Sequence, residues 1–410
     1  MIVECQKRIL EYIVQNHATQ VQFLAELVKV PSDNPPGDCA PHAKRAAELL
    51  EQLGFVVERH PVPAEVVRAN GMISATNLIV RRRFGPGPIV ALNAHGDVVP
   101  PGEGWTTDPY GGEIKNGTMY GRGVAVSKFD FSTYAFALKA LEASGLPLRG
   151  TVELHFTYDE EAGGQIGPGW LLEQKLTKPD YVISAGFAYN VVVAHNGCLH
   201  LEVRIEGRSA HAARPETGVD ALEATTRLLT SLYGLRETYK QTHSNIAGID
   251  HPTLVVGLIS GGINTNVVPD AVTLRIDRRI IPEESPEQVE RDLIAHIEQV
   301  CSSPGDIKVS IRRILLARPF TPQAGQERLV TIIQRYGRAV IGEEIPANGV
   351  PIYTDARLYS AAGIPAVLYG AGPHSLLEAN GHRADEKLEL GDLRKATQVV
   401  ALTLADLLRT

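Results

Sequence analysis

Histidine and acidic side chains occur in this sequence where they can bind a cation or move a proton. His95 and Asp97 stand in NAHGDVVP, just past a strand-like run that ends at Asn93, and open α/β sheets place ligands outside the carboxyl ends of their strands. In a strand-like H-x-D the two side chains point the same way, so the carboxylate can hold one imidazole nitrogen while the other faces a metal. Asp159, Glu160 and Glu161 follow the largely apolar TVELHFTY and precede Ala162-Gly163-Gly164. Three adjacent carboxylates repel one another and gain nothing structurally unless a cation or a proton transfer offsets the cost. His211, in RSAHAARPETG, and His382, in NGHRADE, are further candidates among thirteen histidines. GGINTNVVPD supplies Asn266 on a loop between strands, and Asp277 and Arg279 follow one strand length later. Arg279 can grip a carboxylate in bidentate fashion. Alone, each of these residues would read as an ordinary turn or surface group; their number is what asks for a scaffold.

The elements that must position them alternate. Residues 88–93 (PIVALN) and 151–157 (TVELHFT) are strand-like, residues 131–143 carry helical spacing, and the chain ends in another helix. That is an α/β layer architecture, with a mixed central sheet flanked by helices. From about residue 199 the pattern changes: Leu199, Leu201, Val203 and Ile205 alternate with His200, Glu202, Arg204 and Glu206, as in a strand with one wet face. A helix over about 219–235, strands at 254–260 and 272–278, a second helix and a strand at 307–314 complete a βαββαβ series, the order of a ferredoxin-like α+β unit. Ser285, Pro286 and Gln288 read as N-cap, first-turn proline and capping-box glutamine of that second helix. The expectation is a domain of residues 1–193 and 312–410 interrupted by a smaller one, residues 194–311.

Bulk properties agree with small-molecule chemistry. The chain has 410 residues, 44% hydrophobic and 21% charged, so it can bury more than one core. A net charge of -7 with no block of Lys and Arg argues against nucleic acid and anionic membranes. Cys5, Cys39, Cys198 and Cys301 are far apart and form no C-x-x-C pair, which fits a reducing compartment. Neither a signal peptide nor a membrane span is expected, and the cytoplasm is the expected location.

Taken in order, Val30-Pro31-Ser32, Asn34-Pro35-Pro36-Gly37, HGDVVPPGEGWTTDPYGG, Tyr120-Gly121-Arg122-Gly123, DEE, SAH, NVVPD, TDAR and His382 with Glu386 resemble the metallopeptidase superfamily of aminoacylases, acetylornithine deacetylases, succinyl-diaminopimelate desuccinylases and glutamate carboxypeptidases. The resemblance implies a catalytic α/β domain, an inserted ferredoxin-like lid that also dimerises, and a divalent metal centre acting on a small carboxylate substrate. His95, Glu161 and His382 would be metal ligands, with Asp97 supporting His95 and Glu160 as general base toward a metal-activated water. His211 would reach the partner subunit's site and polarise the scissile carbonyl, while Asn266 and Arg279 would hold the substrate's carboxylate.

Two positions depart from that pattern. Val126 stands where the superfamily carries an aspartate bridging two metals, and Ala185 or Gly186 where another acidic ligand is expected. Two divalent ions ~3.5 Å apart repel by roughly 19 kcal/mol even at an effective dielectric of 20, which carboxylates normally offset. The expectation is therefore one divalent transition metal per chain, zinc, manganese or cobalt, with Asp130, Ser127 and Asp355 as less well-spaced substitute ligands. The expected reaction is hydrolysis of an N-acyl amino acid or dipeptide-like amide. The alternatives are hydrolytic deamination of an aromatic amine such as a nitroanthranilate, which Phe187, Tyr189 and Tyr353 could accommodate, and a non-catalytic binding protein.

Overall fold

The computed structural model describes residues 2–302 and 306–409. The chain forms two compact units. One contains the residues up to Val193, Pro322–Asn348 and the residues from Thr354 onward; the other contains Ala194–Thr321 and Gly349–Tyr353.

The first unit is built on an eight-stranded mixed sheet. From edge to edge its strands are Val57–Pro61, Thr76–Gly85, Gly150–Thr157, Ile89–His95, Tyr181–Ser184, Ala366–Leu368, Val191–His195 and Ala347–Val350. The middle four run parallel, so their carboxyl ends open on the same side. Parallel strands are covered on both faces and read as continuous apolar runs; Val90, Leu92, Val152, Leu154 and Phe156 are all buried. Against this sheet packs Lys128–Ala143, a helix buried nearly all round, with Phe131 stacked on Phe156 at 4.0 Å between ring centroids. The C-terminal helix Leu390–Leu407 packs on it in turn. A small sheet of Glu113–Lys115, Thr118–Tyr120 and Lys387–Glu389 ties the segment after His382 to the Gly-Arg-Gly turn.

The second unit is a four-stranded antiparallel sheet ordered Thr253–Gly261, Ala271–Ile280, Gly197–Glu206, Lys308–Ala317. With helices Ala221–Tyr239 and Pro286–Cys301 between the strands in sequence, this is the ferredoxin-like topology. Leu199, Leu201, Val203 and Ile205 face the helices and are fully buried. The return to the first unit falls after Thr321 and not at 312, because the last strand continues to Ala317. The capping box at Ser285 does not form: the Ser285 side chain caps nothing, and Gln288 donates to Asp292 one turn on. The other helix is capped, Asp220 accepting from the N–H groups of Leu222 and Glu223. Among the described residues, no helix is long and apolar enough to cross a membrane.

Candidate metal centre

The carboxyl ends of two adjacent parallel strands bring His95 and the acidic run together, with His95 paired in register with Thr157. Gly96 must be glycine here, since a Cβ would lie 2.5 Å from the ring of Tyr158. His95 is buried and its Nδ1 donates to the backbone carbonyl of Asp97 at 2.9 Å, which leaves Nε2 facing Glu160 Oε2 at 3.8 Å. The Asp97 carboxylate lies beside the same nitrogen and has further partners. It stands 3.4 Å from Nδ1, and its oxygens accept the N–H groups of Glu160 and Glu161, each at 3.2 Å, and the Asn34 amide at 3.0 Å. Asp97 is completely buried, so a carboxylate with three N–H donors is far better satisfied than one holding an imidazole alone. Asn34 had no assigned role in the sequence; its only signal was the P-S-D-N-P-P-G run.

His95, Glu160 and Glu161 each offer a ligand atom, and these atoms lie within 4.8 Å of one another. His382, held at φ +63° in a turn, brings Nε2 to 3.2 Å from Glu161 Oε1. That oxygen is buried yet makes no hydrogen bond of acceptable geometry. Two donors on one tetrahedral ion with bonds of 2.0–2.1 Å stand about 3.3 Å apart. The imidazole and carboxylate donors therefore fit a zinc-class divalent ion. Burial pushes the Glu160 carboxyl well above its ordinary range; the charges of Glu161, Asp355 and Asp97 act in the same direction, against His95. A carboxylate so raised is a better proton acceptor. Asp159, at φ +154°, is anchored through Oδ2 by the Ile166 N–H at 2.6 Å and begins the turn that presents both glutamates.

Two of the three substitute ligands are otherwise engaged. Ser127 exchanges hydrogen bonds with the backbone of His95. Asp130 accepts the N–H groups of Gly186 and Ala371 through its two oxygens. Asp355 is buried against Gly164 with its Oδ2 making no hydrogen bond, and burial pushes its carboxyl up to about 7; like His382, it lies outside the group of three donors. Val126 and Ala185 are half-buried beside this centre, Ala185 donating to the carbonyl of Asn93. The N–H of Val126 goes to the buried carboxylate of Glu386, which also accepts from Gly123 and Ala125 and pairs with buried Arg122. Glu386 is thus a structural clamp on the turn that carries Val126.

The remaining candidates lie in the second unit. His211 is exposed, pairs its backbone with Val267, and stands next to Asn266, whose carbonyl accepts the Ala212 N–H. Arg279 lies near the far end of strand Ala271–Ile280, which begins after Asn266. The aromatic residues are committed too: Tyr189 stacks on His374 at 3.5 Å and donates to Asp392, and the Tyr353 ring lies 5.8 Å from the Arg279 guanidinium carbon.

The sequence pattern of peptidase family M20/M25/M40 matches residues 91–406. An acetylornithine deacetylase of Proteus mirabilis is 29% identical over 357 residues, 86% of each chain. A succinyl-diaminopimelate desuccinylase of Gluconobacter oxydans is 28% identical over 370 residues, 86% of this chain and 88% of that one. Among solved structures, the dipeptidase Dug1p of Saccharomyces cerevisiae superposes with a TM-score of 0.78 over 97% of this chain and 98% of that one, at 17% identity.

Proposed function

Since the chain belongs to peptidase family M20/M25/M40 and is a metal-dependent amidohydrolase, we propose that it cleaves the amide of an N-acyl amino acid or dipeptide-like carboxylate with one divalent ion. The observation that carries this reading is the convergence of His95, Glu160 and Glu161 donor atoms within 4.8 Å. His95, Glu161 and His382 would hold the ion, zinc, manganese or cobalt, which would supply Lewis acidity to a water and to the scissile carbonyl. Glu160 takes the proton of the attacking water and returns it to the leaving nitrogen, a task suited to a carboxyl whose proton affinity is raised by burial. Asp97 holds both glutamates through their backbone N–H groups. Val126 and Ala185 add no charge, and one ion is what three ligands with a single carboxylate can balance.

The inserted unit serves as lid and dimerisation domain, and the rest of the chain is catalytic. Its edge strand Thr253–Gly261 exposes Val255, Leu258 and Ile259 by about half each, and an apolar unpaired edge is a template for a second copy. In that dimer His211 reaches the partner subunit's site and polarises the scissile carbonyl, while Asn266 and Arg279 hold the substrate's carboxylate. The four cysteines are unpaired and buried, which supports a reducing, cytoplasmic location.

Glu160→Gln tests the assignment. The variant should bind its metal as the wild type does and lose about 10²–10⁴-fold in kcat. Near-wild-type turnover by a metal-loaded variant would remove Glu160 from the chemistry.

A further inference from the structure

On the face of the second unit's sheet opposite its helices, two paired strands build a charged cluster around Arg279. Leu199 and Leu201, like Leu274 and Ile276, pack toward the helices, so His200, Asp277 and Arg279 project from the other face. His200 stands directly across from Asp277, and Arg279 across from Cys198. Arg279 Nε donates to Asp277 Oδ1 at 3.0 Å and its Nη2 to Oδ2 at 3.1 Å, while His200 Nε2 donates to the same Oδ2 at 3.1 Å. The side chains of His200, Asp277 and Arg279 are 32, 31 and 29% exposed, enough shelter to hold the geometry and enough opening for a ligand.

A guanidinium has two edges able to meet a carboxylate in bidentate fashion, one formed by Nε with one Nη and the other by the two Nη nitrogens. Asp277 takes the first, which fixes the plane of the group and leaves the second edge to meet another carboxylate. The Tyr353 ring beside the guanidinium limits the same plane from another side. Asp277 alone would cancel the charge of Arg279. His200 restores a net positive cluster, its imidazole raised to about 9 mainly by the hydrogen bond to Asp277, with Cys198 adding to it.

We infer that Asp277 and His200 are positioning residues that lock the Arg279 guanidinium with its outer edge ready for the substrate's carboxylate. The inference rests on the amide-hydrolysis reading above. A free arginine would have to freeze several rotors on binding; one held in advance does not. The two residues act through Arg279 and so govern substrate affinity, not the chemical step.

The test compares an N-acyl amino acid with its α-carboxamide on the metal-loaded, full-length protein. Asp277→Ala should raise KM for the carboxylate about tenfold or more while kcat stays within about twofold, and leave the carboxamide parameters within about twofold of wild type. His200→Leu should show a smaller rise confined to the carboxylate, and His200→Gln, which retains a donor, should restore most of it. Asp277→Asn preserves the side-chain shape and, should Asp277→Ala fail to fold, must show the same selective loss. Equal effects on carboxylate and carboxamide would overturn the inference while leaving the hydrolase reading in place. A wild type inert toward every N-acyl amino acid, although metal-loaded, would overturn both.

Discussion

At the scale of single residues, carboxylates do most of the structural work around this site. Glu153 shows how strongly the fold can depend on one. Burial alone would raise its pKa, but the hydrogen bond and charge of His155, with Thr177 and Arg81, bring it down to about 2. A group depressed in the folded state stabilises above its ordinary pKa of 4.5, and that contribution disappears as pH falls through 4.5 towards 2. The shift corresponds to about 3 kcal/mol. Chemical denaturation between pH 6 and 2 should therefore show a steep acid limb, which Glu153→Gln makes shallower; identical limbs would remove Glu153 as its source. That His95, Glu160 and Glu161 lie together was legible because their two strands end where an open α/β sheet binds ligands. The backbone N–H groups held by Asp130, Asp97 and Glu386 were not. Whether a carboxylate binds a cation or backbone N–H groups depends on which loops fold over it, and Gly186, Ala371 and Ala125 lie far away in sequence.

Among the elements, those with a strong period were readable. The parallel strands and the alternating strand from Leu199 follow the apolar pattern directly. The three-residue strands of the small sheet have too few residues to show a period, so the tether between the His382 segment and the Gly-Arg-Gly turn was invisible. The capping box at Ser285 failed for a related reason, since Gln288 finds a partner in Asp292 that the local motif does not anticipate. The edge strand Thr253–Gly261 makes the clearest prediction at this scale. Leu258→Lys places a charge on the exposed edge. It should convert a dimer to a monomer in sedimentation velocity, with metal content unchanged and turnover greatly reduced. A variant that remains dimeric, or a monomer that is fully active, would contradict the role given to this edge.

For the whole molecule, the insertion was legible as a change from buried runs to one-sided alternation, although its second boundary moved to Thr321 and the short return of Gly349–Tyr353 to the second unit carried no signal. Hydrolysis by one ion is proposed on the match between a three-ligand donor set and the aliphatic residues Val126 and Ala185. Divalent metal titrated back into chelated protein, with both bound metal and turnover of an N-acyl amino acid followed, should restore activity that saturates at one equivalent per chain. Activity that requires a second equivalent, or that persists in metal-free protein, would contradict it.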